Sequence, residues 1–130
     1  MTATSTFEIS ASLYFISHEE MHRLACELFE AVHATNQGFL QYEIEGRSEN
    51  AEARIETHSA AGSSWSFNSN FKGSEVEQEE FVERMEKAFL EKDVLYIIEH
   101  FEVDEEDEPI GEEKKRIHPE FDERYTPPED

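Results

Sequence analysis

The chain has 130 residues, with a hydrophobic content of 37% and an aromatic content of 12%, which indicates one domain with a packed core rather than a disordered chain. Its 32 Asp and Glu residues against 11 Lys and Arg residues give a formal net charge of -21. This charge excludes direct binding to nucleic acid or to an anionic membrane, because both are recognised by basic surfaces.

The single cysteine and the N-terminal sequence indicate the compartment. Cys26 has no second cysteine with which to form an intrachain disulfide, which is typical of a reducing environment. The N-terminal residues lack the basic and apolar regions of a secretory signal, and no stretch approaches the length of a membrane span. We therefore expect a cytoplasmic protein.

The first half of the chain predicts two strands around one helix. Hydrophobic residues alternate over residues 7–15, which is typical of a strand with one buried face. Ser17 and Glu20 then form a capping-box pattern, and a helical stripe of apolar residues continues to near Gly38. Residues 39–45 predict the second strand.

The second half predicts more strands and a second helix. Residues 54–71 are typical of a hairpin or meander with a turn at 60–63. Ser74 and Glu77 form a second capping-box pattern, followed by a helix. Residues 94–103 begin with an almost continuous apolar run, which predicts a central strand covered on both sides.

This order, β-α-β-β-β-α-β, predicts an α+β fold of the ferredoxin-like kind, in which two helices cover one face of an antiparallel sheet. We assign residues 1–103 to this domain. From residue 104 the chain becomes acidic and contains several prolines. We expect residues 104–130 to form an acidic C-terminal tail that is disordered or loosely docked.

The negative charge is concentrated in the second helix and beyond the last strand. Residues 99–130 hold fourteen acids and four bases, a net charge of -10. On the second helix, Glu79, Glu83 and Glu86 are spaced three or four apart and are expected to repel one another on one exposed face. The acids either solubilise the surface and complement the helix dipole, or form a docking surface for a basic protein. The docking prediction names Glu75, Glu79, Glu80, Glu83, Glu86, Asp104, Glu105, Glu106, Asp107 and Glu108.

No motif in the chain indicates catalysis or a cofactor. The patterns GxSxG, GxGxxG and the P-loop are absent. His18, His22 and Cys26 recur at every fourth residue, but an isolated pair of histidines is weak evidence for a metal site, and a lone cysteine bordering the core is typically a small buried hydrophobe. We therefore predict no catalytic residue, no cofactor and no metal site.

Three aromatic residues lie in an otherwise polar segment. We expect Trp65, Phe67 and Phe71 to belong to the core of the sheet, because large aromatic side chains are usually buried. The alternative is that an exposed Trp65 or Phe71 anchors an interface.

A short chain, one domain, extreme acidity and no catalytic motif together resemble two groups of inhibitors. One group is the phage-encoded anti-CRISPR and anti-restriction proteins that mimic the charge of DNA, and the other is the acidic immunity proteins that neutralise nuclease toxins. The resemblance implies a non-catalytic inhibitor that covers the basic, nucleic-acid-binding surface of a nuclease or CRISPR effector, and we favour the phage type. One alternative is an enzyme or ligand-binding module on a ferredoxin-like sheet, with His58, His100 and Tyr96 as candidate residues. Another is an adaptor whose sheet edge forms a homodimer.

Overall fold

The computed structural model describes residues 5–36, 42–57 and 64–125, and about half of these lie in one seven-stranded antiparallel sheet. The elements follow in the order β1 (Ser5–Tyr14), α1 (His18–Leu28), β2 (Ala31–Asn36), β3 (Tyr42–Arg47), β4 (Ala51–Thr57), β5 (Ser64–Gly73), α2 (Glu75–Glu91), β6 (Leu95–Val103), β7 (Pro109–Ile117) and α3 (Phe121–Arg124). Across the sheet the strands lie in the order β2-β3-β4-β5-β1-β6-β7.

The ferredoxin-like prediction is wrong, and the first reason is that helix α1 is short. It ends at Leu28, and residues 31–36, which the apolar stripe assigns to this helix, form the edge strand β2. Phe29 caps α1 in an extended conformation, and its ring lies so close to Gly46 of β3 that a Cβ there would be 2.5 Å from the ring. This contact and the β-branched residues of β2 favour a strand over further helix.

The second reason is that the predicted tail contributes a strand to the sheet. Residues 109–117 form β7, which pairs with β6 from Val103 opposite Pro109 to Ile97 opposite Ile117. Helix α3 follows and packs its Phe121 ring against Tyr14, with ring centroids 5.7 Å apart. The sheet therefore extends beyond the domain boundary expected at residue 103.

One face of the sheet carries the core. Helices α1 and α2 contact each other and pack on this face, where β1 contributes alternate buried residues. The alternation predicted for β1 is confirmed as far as Leu13, but Phe15 leaves the sheet with φ 62° and is 55% exposed. We call the opposite face, which α1 and α2 leave uncovered, the open face. The residues that β1 contributes to the core are Phe7, Ile9, Ala11 and Leu13.

Both predicted helix starts are confirmed. The Ser17 side chain accepts a hydrogen bond from the backbone N–H of Glu20. At α2 the capping box is reciprocal, because Ser74 Oγ accepts from the Glu77 backbone and the Glu77 carboxylate accepts from the Ser74 backbone. These bonds satisfy helix N–H groups that have no partner within the helix.

The three aromatic residues of β5 lie in the core, as expected. Trp65, Phe67 and Phe71 are all buried, so the alternative of an exposed Trp65 or Phe71 anchor is wrong. Trp65 Nε1 donates a hydrogen bond to the Ile16 carbonyl at 2.9 Å, which ties β5 to the chain entering α1.

Some sequence predictions fall outside the described residues. They are the beginning of the second strand at 39–41, the turn at 60–63 and His58. Within the described ranges, no helix is both long enough and apolar enough to cross a membrane.

Candidate protein-interaction surface

The acidic run after β6 forms an ordered hairpin loop. Asp104 Oδ1 accepts hydrogen bonds from the backbone N–H groups of Glu106 and Glu108, at 2.8 and 3.0 Å. The Asp104 N–H donates to the Glu108 carbonyl at 2.9 Å, and Asp107 adopts the left-handed conformation, with φ 63°. Aspartate tolerates that conformation better than most residues. We call residues 104–108 the acidic loop; its shape is held by the side chain of its first residue.

The outer acids of this loop are not neutralised by the protein's own bases. All eleven lysines and arginines lie in the described part of the chain, and all but Lys72, Arg84 and Lys87 form ion pairs. None of those pairs involves residues 105–108. Their negative charge therefore faces solvent.

The strand register brings the acidic loop to the same end of the sheet as the start of α2. Ser5 pairs with Gly73 at the end of β5, and Thr6 pairs with Val103 at the end of β6. The last residues of β5 and β6 are therefore about two strand spacings apart, roughly 10 Å. Helix α2 begins two residues after Gly73, and the acidic loop begins one residue after Val103.

This end of the molecule also exposes apolar side chains. Val76 in the first turn of α2 is 67% exposed, and Ile110 just after the acidic loop is 45% exposed. We call the acidic loop together with Glu75, Val76, Glu80 and Ile110 the acidic end. Isolated apolar side chains among charged ones resemble the centre and rim of a protein interface.

Two acids of the predicted α2 surface point towards β7. Arg116 donates through Nη2 to Glu79 and through Nη1 to Glu86, both at 3.1 Å, and Lys114 Nζ lies 2.6 Å from Glu79. The hydrogen bond from Lys114 lowers the pKa of Glu79 below its usual value. The prediction that Glu79, Glu83 and Glu86 share one exposed face is therefore wrong, because only Glu83 is exposed while the other two are half-buried.

Two candidate residues of the enzyme alternative are buried on the helix-covered face. The Tyr96 hydroxyl donates to Glu86 at 2.5 Å, and burial, followed by this hydrogen bond, raises the pKa of Tyr96. His100 Nδ1 lies 2.6 Å from the side-chain nitrogen of Gln78. Since an amide nitrogen only donates, the neutral ring carries its proton on Nε2, which has no hydrogen-bond partner among the described residues.

The buried imidazole should make stability depend on pH. Burial lowers the pKa of His100, so as pH falls the unfolded chain takes up this proton first and stability is lost below about pH 6.5. The free energy of unfolding then falls by up to about 1.4 kcal/mol per pH unit, in the pH range where the His100 imidazole is protonated in the unfolded chain but not in the folded one. We expect His100→Asn, which retains an acceptor for Gln78, to remove this contribution. Denaturant titrations at pH 7, 6 and 5 would measure it, and equal pH dependence in both proteins would contradict the expectation.

The His18, His22 and Cys26 series does not form a cluster of ligands. The His18 ring stacks on Tyr42 with centroids 4.8 Å apart and meets Trp65 edge-on. Cys26 is exposed, contrary to the expectation that it is a small buried hydrophobe. Among the residues that the structure describes, no three or more His, Cys, Asp or Glu side chains are grouped to hold a metal ion.

The open face contains a polar groove of about 740 Å³ that runs from β2 across to β1. Its floor is formed by Ser10, Asn68 and Asn70 of the central strands. Arg54 lies beside them, hydrogen-bonded to the buried carboxylate of Glu43 at 2.8 Å. Neither Tyr96 nor His100 lines this groove, so the structure does not assemble the described candidates of the enzyme alternative into one site.

No family model, curated protein or solved structure matches the chain. We therefore infer function from the charge and exposure of the surface residues and not from the fold.

Two features of the surface are not predicted from the sequence. The cations Lys114 and Arg116 follow one another at the period of a strand, and this spacing is the signal that could have placed both on the face beside α2. The open-face groove combines the short polar side chains of serines and asparagines from separate strands, and no local sequence motif predicts it.

Proposed function

We propose that the protein is a non-catalytic inhibitor of the DNA-mimic type, which docks its acidic end on the basic, nucleic-acid-binding surface of a partner protein. The observation that carries this proposal is the acidic loop, whose outer carboxylates have a fixed backbone and no ion pair with a described residue. An ordered array of charges loses less conformational entropy on binding than a disordered tail would.

The charge of the whole protein supports the same interaction. A net charge of -21 attracts a basic partner over long range and raises the rate of encounter. Exposed Val76 and Ile110 offer apolar contact within the acidic end. Glu80 and Glu83 extend the negative surface along α2, whereas Glu75, Glu79 and Glu86 already pair with cations of β7.

A pair of charge-reversal variants tests this proposal. Changing Glu105, Glu106 and Glu108 to lysine replaces three negative charges of the acidic end by three positive ones and leaves the left-handed Asp107 in place. The control changes Glu91, Asp122 and Glu123, which are also exposed acids without ion pairs among the described residues, but which lie towards the opposite end of α2 and on α3. Partners captured at low salt from the native host would be titrated with each protein. We expect the loop variant to lose about tenfold or more in affinity, since close charge pairs contribute roughly 1.5 kcal/mol or more.

Two further measurements identify the surface of the partner. Duplex DNA should displace the inhibitor from the captured partner, and rising salt should weaken the complex steeply. Binding that ignores salt, or a partner that holds DNA and this protein together without competition, would contradict the proposal. Equal losses in the loop and control variants would show that net charge, and not the acidic end, determines binding.

A further inference from the structure

The two edges of the sheet differ in how well they are protected against pairing with another strand. The outer N–H and C=O groups of an edge strand are free to accept a further strand unless charges, proline or a bulge prevent it. The edge β7 has all three protections: Pro109, a register shift opposite His100 and Glu102, and five consecutive charged residues at 112–116. Gly111 adds a left-handed residue, with φ 77°.

The opposite edge, β2, has none of these protections. Its sequence, Ala-Val-His-Ala-Thr-Asn, contains no Asp, Glu, Lys, Arg or proline, and its pairing with β3 runs in register over all six residues. No other strand of the described residues pairs with its outer side. In a chain in which a third of the residues are charged, an uncharged edge strand is the place where another backbone can approach.

The two faces of β2 indicate what kind of strand would fit beside it. On the core side, Val32 and Ala34 are half-buried and pack against the hydrophobic core. On the open face, His33 lies opposite Glu45, an exposed acid at one end of the polar groove, and Thr35 lies opposite Glu43, whose buried carboxylate is paired with Arg54. A strand added to β2 would thus place alternate side chains beside Val32 and Ala34 on the core side and beside His33 and Thr35 on the open face, two strand spacings from Glu45 of β3.

We propose that the β2 edge binds an extended basic segment of the partner by strand addition, with apolar and basic residues alternating along that segment. This inference rests on the proposed function, because it takes the partner to be basic. Lysine or arginine side chains of the added strand start roughly 10 Å from β3 and can extend over β2 towards Glu45. A second copy of this chain would instead bring another charge of -21, which opposes association.

A matched pair of synthetic peptides tests the pairing. One probe alternates lysine and valine over ten residues, and the other has the same composition as a block of five lysines followed by five valines. We expect the alternating peptide to bind about tenfold or more tightly, because only it presents each residue type to the matching face. Hydrogen exchange followed by NMR should show new protection of β2 amides in its complex.

Lysine substitutions on the open face provide the matched protein control. His33→Lys with Thr35→Lys places two charges on the β2 edge, whereas Ser12→Lys with Ser66→Lys places the same two charges on exposed positions of the central strands. The β2 variant should lose about tenfold in affinity for the alternating peptide, and the control should change by less than about threefold.

Three results would overturn strand addition: unprotected β2 amides in the complex, equal binding of the two peptides, or equal losses in the two lysine variants. If strand addition is overturned but the acidic-loop variant still fails to bind the captured partner, the proposed function stands without strand addition at β2. A protein that is dimeric in solution with β2 amides already protected would assign the edge to a second copy instead.

Discussion

Replacing Trp65 with alanine is expected to lower the free energy of unfolding by about 3–5 kcal/mol, the usual cost of truncating a large buried aromatic side chain. Trp65 is 2% exposed, and its ring meets His18 and Tyr42 edge-on, with centroids 5.4 and 6.1 Å away. Small domains have only about 5–15 kcal/mol of stability in total. Denaturant titration followed by far-ultraviolet circular dichroism would measure the loss.

Trp65→Phe separates the indole hydrogen bond from the packing. The phenyl ring keeps most of the buried surface, but the Ile16 carbonyl loses the N–H donor that lies 2.9 Å away. We expect a smaller loss of about 1–2 kcal/mol, the cost of leaving a buried polar group without its partner. Equal losses in the alanine and phenylalanine variants would contradict the assignment of Trp65 to the core.

Replacing Arg116 with alanine is expected to cost about 1–3 kcal/mol and to loosen β7 from α2. The guanidinium bridges Glu79 and Glu86, and all three side chains are only about a quarter exposed. Its removal leaves two half-buried carboxylates with fewer donors, which is more costly than losing a pair at the surface. Hydrogen exchange of β7 amides should accelerate in the variant, and denaturant titration would give the change in stability.

Two comparisons make the test of Arg116 specific. Arg116→Lys should recover only part of the loss, since an ammonium cannot replace a planar guanidinium that donates to two carboxylates. Arg47→Ala removes an exposed ion pair with Glu52, in which the side chains are 74% and 65% exposed, and should change stability by less than about 0.5 kcal/mol. If the Arg47 and Arg116 alanine variants are equally stable, β7 is not held by this network.

Elements with a local signature are predictable from the sequence. The alternation of β1 and β5 and the capping residues Ser17 and Ser74 are all read within a few neighbouring positions, and the structure confirms each of them. These signals are local because a cap or an alternating face depends on residues adjacent along the chain.

The two edge strands are not predictable in this way. The end of α1 depends on the contact of Phe29 with Gly46, which lies seventeen positions later. The helical spacing of apolar residues continues through Val32, so the sequence alone predicts a longer helix. Strand β7 has almost no buried side chains, so it lacks the alternation by which a strand is recognised. The error in fold class follows from these two omissions.

The candidate surface is predictable in composition but not in geometry. The sequence identifies the acids of α2 and of residues 104–108, but the pairing of Glu86 with Arg116 joins positions thirty residues apart. The charge that remains exposed is therefore determined by tertiary contacts, which no count of acids and bases in sequence can supply.

The hydrogen bonds of Asp104 divide the acidic loop into a part that determines its shape and a part that determines its charge. Asp104 turns one oxygen inward to two backbone N–H groups, whereas the four acids after it make no ion pair among the described residues. The carboxylates of Glu105, Glu106 and Glu108 can therefore be exchanged one at a time without refolding the hairpin, whereas Asp107 lies in the left-handed conformation that most residues disfavour. Such a loop can adapt to a changing partner while its backbone stays constant, and sequence drift should spare positions 104 and 107 more than positions 105, 106 and 108.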